Sequence, residues 1–253
     1  MGMGAMVIAP LSRALTTAHD WRYAMATLAV IAFAVVLPAA LLLRPAPVQP
    51  AAPGEAAPVS ARAALRSPQL AVIGATYFAC CAAHSGPIFH MVTYAIECGV
   101  TPMSAATVLG TAGLAGLAER IGGGFVADRI GAKTTILAGL SLQAVAILTY
   151  LTVREASGFY ALAAVFGLSY GAVMPLYAVL VREYFGAAVM CTAFGAVTMA
   201  ATIGMAVGPL AGGWVHDAWG AYAWLYIGSA AIGAGALAIA TAFRPPVLRP
   251  ALA

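Results

Sequence analysis

The chain has 253 residues, of which 63% are hydrophobic and 8% charged, with a mean hydropathy of +0.95 and a formal net charge of +4. Ordinary soluble domains of this length carry far more charge, so the composition excludes one and points to an integral membrane protein. The positive balance is carried by residues between apolar segments, which makes it a matter of membrane topology, and no nucleic-acid partner is expected.

The first residues, 1–18, are apolar at the start and carry Arg13 near the end. They lack the leading basic region and the cleavage site of a signal peptide and read as a truncated helix. Stretches free or nearly free of charge, and long enough for the roughly 20 helical residues that a hydrocarbon core requires, then follow in order. They run from Tyr23 to Leu43, Leu70 to Ile96, Ser104 to Ala127, Thr134 to Val153, Phe159 to Val181, Ala188 to Gly213 and Gly220 to Phe243, predicting seven full spans. The runs are continuous rather than alternating, so the fold class expected is an all-α membrane bundle and not a barrel. Between the first two spans, Arg44 to Pro68 contains Pro45, Pro47, Pro50, Pro53 and Pro58 among many alanines. Such a segment cannot pack a core and is expected to be a flexible or extended linker.

With the loop around Asp128 on the cytoplasmic side, that side collects Arg44, Arg62, Arg66, Arg129, Lys133, Arg182, Arg244 and Arg249. The opposite side holds Arg22 and Arg154 and carries Asp20, Glu97, Glu155 and Asp217. This asymmetry fixes the orientation and puts the C-terminus in the cytoplasm. The loop itself reads Gly122-Gly123-Gly124-Phe125-Val126-Ala127-Asp128-Arg129-Ile130-Gly131-Ala132-Lys133. Its glycines permit close helix approach, Asp128 suits the positive N-terminal end of the next helix, and Arg129 and Lys133 suit the cytoplasmic face.

The pattern G-x-x-x-D-R-x-G-x-K in that loop resembles the signature loop of the major facilitator superfamily of transporters, with Gly124, Asp128, Arg129, Gly131 and Lys133 as its gating residues. It departs from the family at Thr134, where a further basic residue is common. Three further stretches match less specifically. His19-Asp20-Trp21-Arg22 is similar to the opening of helix six, with Asp20 in place of the usual glycine. Pro175 to Gly186 is similar to the end of helix ten and its loop, and Gly208 to Gly213 to the end of helix eleven.

The resemblance covers nearly the whole chain. It implies the end of helix five and helix six in residues 1–43, the interdomain linker in 44–68, a six-helix C-terminal half in 69–244 built as two inverted three-helix repeats, and a cytoplasmic tail in 245–253. By that register the chain is an incomplete transporter, lacking most of an N-terminal half or needing a partner chain.

Within the spans, Glu119 and Arg120 stand out because a charged side chain in the bilayer needs a partner, water or a ligand. Arg120 precedes Asp128 by eight residues, about 12 Å of helix, and so lies inside the membrane. The resemblance to the monocarboxylate and oxalate-formate branches implies that an arginine here binds the substrate carboxylate. An acidic residue one turn earlier, common in the monocarboxylate carriers, is replaced by Gly116, leaving Glu119 as a candidate for proton coupling. The competing reading is an Arg120–Glu119 pair that only stabilises the cytoplasmic gate.

His84, near the middle of its span, is a candidate proton relay or anion ligand, with His90 behind it. The alternative for His84 is a core histidine donating to a backbone carbonyl. Tyr94, Tyr170 and Tyr177 are candidates to line the same cavity, against packing or interface anchoring. Gly204, Gly208 and Gly212, and likewise Gly110, Gly113 and Gly116, read as packing faces. Gly86-Pro87 and Gly171 with Pro175 are hinge candidates. Cys80, Cys81, Cys98 and Cys191 form no disulfide framework or metal spacing. No enzyme signature is present, and the Gly122–Gly124 run is not a nucleotide loop.

The expected function is secondary active transport of a small organic anion such as a monocarboxylate, by alternating access, with a co-transported proton, in a bacterial inner membrane. No cofactor or metal is expected, and the partners are the solute and the lipid bilayer. The rival reading is a non-transporting membrane sensor or assembly subunit that retains half a transporter fold.

Overall fold

The structure is a computed structural model that describes residue 8 and residues 11–12, 14–42, 60–171 and 173–245. The chain divides into two compact units, Met1–Ala56 and Ala57–Ala253. The first contains helix α1, Trp21–Leu41. Asp20, the departure from the resembled pattern, has a local role: its Oδ1 accepts the Tyr23 N–H at 2.6 Å and caps the helix. Most α1 side chains, including Val30, Phe33, Val35 and Val36, are exposed and apolar, as suits a helix that meets lipid.

The second unit is entirely helical among the described residues. It comprises α2 (Ala61–Leu65), α3 (Pro68–Glu97), α4 (Pro102–Ile130), α5 (Ala132–Thr149) with a 3₁₀ turn at Tyr150–Thr152, α6 (Ala156–Gly171), α7 (Val173–Phe185), α8 (Met190–Trp219) and α9 (Ala223–Ala240). Helices α6 and α7 flank residue 172, which is outside the described residues, and together occupy the span expected from Phe159 to Val181. Ser67 and Thr101 start α3 and α4 by accepting backbone N–H groups, and each is followed by a proline whose fixed φ suits the first helical position. Gly131 ends α4 at φ 87°, a conformation unfavourable for any side chain, and turns the chain into α5.

Among the described residues, six helical segments are long and apolar enough to cross a membrane: α1, α3, α5 with its 3₁₀ turn, α6–α7, α8 and α9. The seventh expected span, α4, is long enough at 29 residues, but its many glycines and its charges at Glu119, Arg120, Asp128 and Arg129 dilute its apolar character. The linker expectation needs correction at one end. Residues 61–65 form helix α2, capped by Ser60, with Ala64 buried in the core beside α8, because alanines lacking an intervening proline favour helix. The prolines of the linker at 45–58 lie outside the described residues.

The helices pair with a recognisable symmetry. The first helix of one triplet, α3, lies along the second of the other, α8; reciprocally, α6 lies along α4; and the third helices, α5 and α9, pack together. Two apolar cores result. One joins Ile73, Tyr77, Ile136, Leu140, Leu180 and Val197, and the other joins Met91, Tyr94, Ile147, Tyr150, Phe159 and Tyr226 at the opposite end.

Small residues set the closest approaches. A Cβ on Gly204 would strike the Phe78 carbonyl oxygen, and one on Gly212 would strike the His90 ring, so the fourfold glycine spacing on α8 is the α3 contact. Gly86 meets Gly208 in the same seam, which makes it a packing residue, and Pro87 lies inside the uninterrupted helix α3. On α4, Gly116 packs against α6, whereas Gly110 faces open space and is not part of a packing face.

Candidate functional site

Between the two cores lies a layer of buried polar side chains: His84, Ser85, Gln143 and Ser169. Such groups must find hydrogen bonds in a medium without water. The Cys80 carbonyl accepts from two of them, His84 Nδ1–H at 2.8 Å and Gln143 Nε2–H at 3.3 Å, which ties α3 to α5. A carbonyl can only accept, so Nδ1 of His84 carries the proton. The His84 ring stacks on Tyr170 of α6, with centroids 5.5 Å apart and planes within 4°. This is the geometry of a core histidine, and it leaves His84 as one wall of the site beside Tyr170.

Arg120 is half-buried on α4 and close enough to Tyr77 and Tyr170 for its charge to act on both hydroxyls. Tyr77 stacks on Tyr177 of α7, with centroids 4.0 Å apart and planes at 13°, and its hydroxyl donates to Met174 Sδ at 3.3 Å. Tyr177 is fully buried beside the Cys80 thiol. Four of the expected residues, Arg120, His84, Tyr170 and Tyr177, thus converge from α3, α4, α6 and α7. Tyr77 completes the cluster and is not among the residues expected from sequence. Its signal was available, since it precedes His84 by seven residues, two helical turns on the same face.

Tyr94 does not join them. It lies ten residues beyond His84, about 15 Å further along α3. There its hydroxyl donates to the Tyr150 carbonyl and accepts from Arg154 Nη1, both at 3.3 Å. His90 is also at that end. Its Nε2–H donates to the Pro209 carbonyl at 3.1 Å, which leaves Nδ1 to accept from the Tyr222 hydroxyl at 3.3 Å. Glu119 turns the other way from Arg120 and lines a separate groove of about 150 Å³ with Thr135, Leu142, Ser169 and Val173. Successive helical residues are rotated by about 100°, so the two charges face different neighbours. Among the described residues the ion pairs are those of His216 with Glu97 and Asp217, and none joins Arg120 to Glu119. The pair invoked in the gate-only reading is therefore not formed.

The signature loop also differs from expectation. Asp128 does not cap the following helix: it is exposed in the last turn of α4, and Gly131, the N-cap of α5, receives no side-chain cap. The turn is too tight, a single glycine, for Asp128 to fall at the start of α5 in sequence. Arg129 is exposed beside it, and Gly124 has open space around its Cα. Lys133 is not a free surface lysine. Its ammonium donates to the Phe243 carbonyl at 2.7 Å and the Thr241 carbonyl at 3.3 Å, closing the C-terminal end of α9 onto the start of α5. Lys133→Met should therefore destabilise the second unit by about 1 kcal/mol and expose residues 241–245 to protease. SDS-titration unfolding and timed proteolysis check this, and unchanged behaviour in both would return Lys133 to a surface role.

The family model described as the Major Facilitator Superfamily matches residues 1–153 and 120–252, the two matches together spanning almost the whole chain. The chain belongs to the Major Facilitator Superfamily. It is a multi-pass membrane protein of a transporter family and not an enzyme. It is 26% identical over 231 residues to monocarboxylate transporter 13 of Bos taurus, a match covering 88% of this chain and 52% of that protein. The fold is similar to that of FucP in its outward conformation, with a TM-score of 0.70 and 20% identity, covering 91% of this chain and 57% of that one. A variant of the E. coli fucose:proton symporter FucP gives a TM-score of 0.69 at 20% identity, covering 95% and 60%. The chain spans about half the length of the curated relative it matches.

Proposed function

We propose that this facilitator chain forms the C-terminal wall of a transport pathway for a small organic anion, with Arg120 as the ligand for its carboxylate. The observation that carries the reading is the guanidinium itself: half-buried in a membrane bundle, without a carboxylate partner among the described residues, and one helical turn beyond Gly116, against which the Tyr170 ring and hydroxyl lie. A charge left so far from bulk water is costly unless a ligand of opposite sign completes it. The planar fork of arginine fits a carboxylate through two parallel hydrogen bonds. The similarity to a monocarboxylate transporter supports the same class of solute, and His84, Tyr170 and Tyr177 form the wall around the anion.

Alternating access in this reading moves the triplets of this wall against a facing set of helices, supplied by an N-terminal half or a partner chain. A proton travels with the anion, and Glu119 and His84 are the candidates to carry it. The membrane is a bacterial inner membrane with the C-terminus in the cytoplasm. The test is counterflow in proteoliposomes, by this chain joined to the facing half that completes the pathway, with a panel of mono- and dicarboxylates beside neutral and cationic solutes. Preference for carboxylates is expected, and preference for a neutral or cationic solute would overturn the assignment.

Asp128 enters as part of the cytoplasmic gate: exposed, at the end of α4, next to the turn between two triplet helices. Asp128→Asn should leave membrane insertion intact and slow counterflow, since removing its charge changes the relative energies of the two access states. Counterflow at the wild-type rate would remove Asp128 from the gate.

A further inference from the structure

The end of the bundle opposite Asp128 holds a second charged cavity, of about 410 Å³, lined among others by Tyr94, Glu97, Cys98, Arg154 and Tyr222. It lies between the end of α3, the connection from α5 to α6, and the start of α9. Arg154 is one of only two arginines on a side otherwise marked by acids, yet among the described residues no carboxylate pairs with it. Its Nη1 donates to Tyr94 Oη at 3.3 Å and to the Val153 carbonyl at 2.8 Å. Those two bonds use the hydrogens of one nitrogen and pin the guanidinium plane, leaving the Nε–Nη2 edge, the edge that binds an oxyanion with two parallel bonds.

The acid in the same cavity is already engaged. Glu97 Oε1 lies 3.0 Å from His216 Nε2, and His216 stacks on Tyr222 with centroids 4.4 Å apart. His216 sits in the last turn of α8. The cavity therefore combines an uncompensated guanidinium with a carboxylate held by another group.

We propose that this outer cavity is a binding site for a small oxyanion, a carboxylate or phosphate, held on the Nε–Nη2 edge of Arg154. It is separate from the Arg120 cluster and stands or falls independently of the transport reading. The oxyanion has two sources, a soluble carboxylate or an anionic lipid headgroup at the outer interface.

Cys98 supplies the probe, because it lines the cavity and is half-buried, whereas Cys80 and Cys81 are buried and Cys191 is exposed. The 253-residue chain carrying Cys191→Ser is placed in nanodiscs of phosphatidylcholine, and Cys98 labelling is timed with an anionic methanethiosulfonate and with its cationic homologue. The anionic reagent should react several-fold faster, and propionate should slow its reaction saturably. Arg154→Gln should abolish both the preference and the protection. A fall in the rates of both reagents together in that variant would report a collapsed cavity; Arg154→Lys, which keeps the charge but not the fork, should then retain the charge preference while losing most of the propionate protection. Discs containing phosphatidylglycerol separate the sources: protection without propionate, lost in Arg154→Gln, assigns the site to a headgroup, and unchanged labelling assigns it to the soluble anion. Equal rates for the two reagents, or propionate protection that survives Arg154→Gln, would overturn the proposal.

Discussion

Lysine at position 120 is expected to leave the protein folded and inserted while lowering its affinity for small carboxylates by about 10- to 150-fold, the loss expected for one charged hydrogen bond of roughly 1.5–3 kcal/mol. The charge is kept, so a purely Coulombic role predicts little change. What is lost is the second of two parallel bonds and the rigid plane that presents them, since an ammonium is a point donor on a flexible stem. Glu119→Gln separates this from a gating pair. Glu119 lines its own groove on another face of α4, with no ion pair to Arg120, so its amide should not reproduce the loss. Competition binding with small mono- and dicarboxylates reads both variants. Retained affinity in Arg120→Lys, or a Glu119→Gln variant that matches Arg120→Ala, would withdraw the carboxylate from Arg120.

The largest stability effect is expected at Gly208. A Cβ there would strike Ser85 Oγ and would lie 2.6 Å from the Gly86 nitrogen and 2.9 Å from the Ala82 carbonyl oxygen. Two of these three are backbone atoms of α3 and cannot rotate away. Gly208→Val must therefore push α8 off α3, the most extensive helix pair of the bundle, and should lower stability by about 3 kcal/mol, the upper end of ordinary overpacking. Gly110→Ala is the matched control, because a Cβ there meets nothing within 4 Å. It should be neutral or stabilise by about 0.5–1 kcal/mol through helix propensity. SDS-titration unfolding of both in detergent checks the contrast, and a Gly208→Val variant as stable as wild type would mean that the seam is looser than its geometry implies.

The helices, their order and the family were legible in the sequence because they depend on local properties, above all the apolar length that sets a span. The motif around Asp128 and Gly131 needs only adjacent residues to be recognised. The α8 glycine face was legible for the same reason, a fourfold spacing that one helix displays by itself. Gly110 shows the limit of that reasoning, since a spacing says which residues share a face but not whether a neighbour is there.

The residues that misled or were missed are those whose roles depend on a partner far along the chain. Lys133 read from its own turn as a residue of the cytoplasmic face, yet it holds carbonyls more than a hundred residues away. Tyr94 shares a helix with His84 and still belongs to the other core, because distance along α3 separates the two levels. Tyr77 gained its place only when Tyr177 and Met174 were folded against it. By itself the sequence determined the membrane class, the run of spans, the turn at Gly131 and an unusual charge at Arg120. Only the tertiary structure decided which side chains gather on the Arg120 side of α4 and that Glu119 does not pair with it, because helix rotation and packing, not sequence order, set which side chains meet.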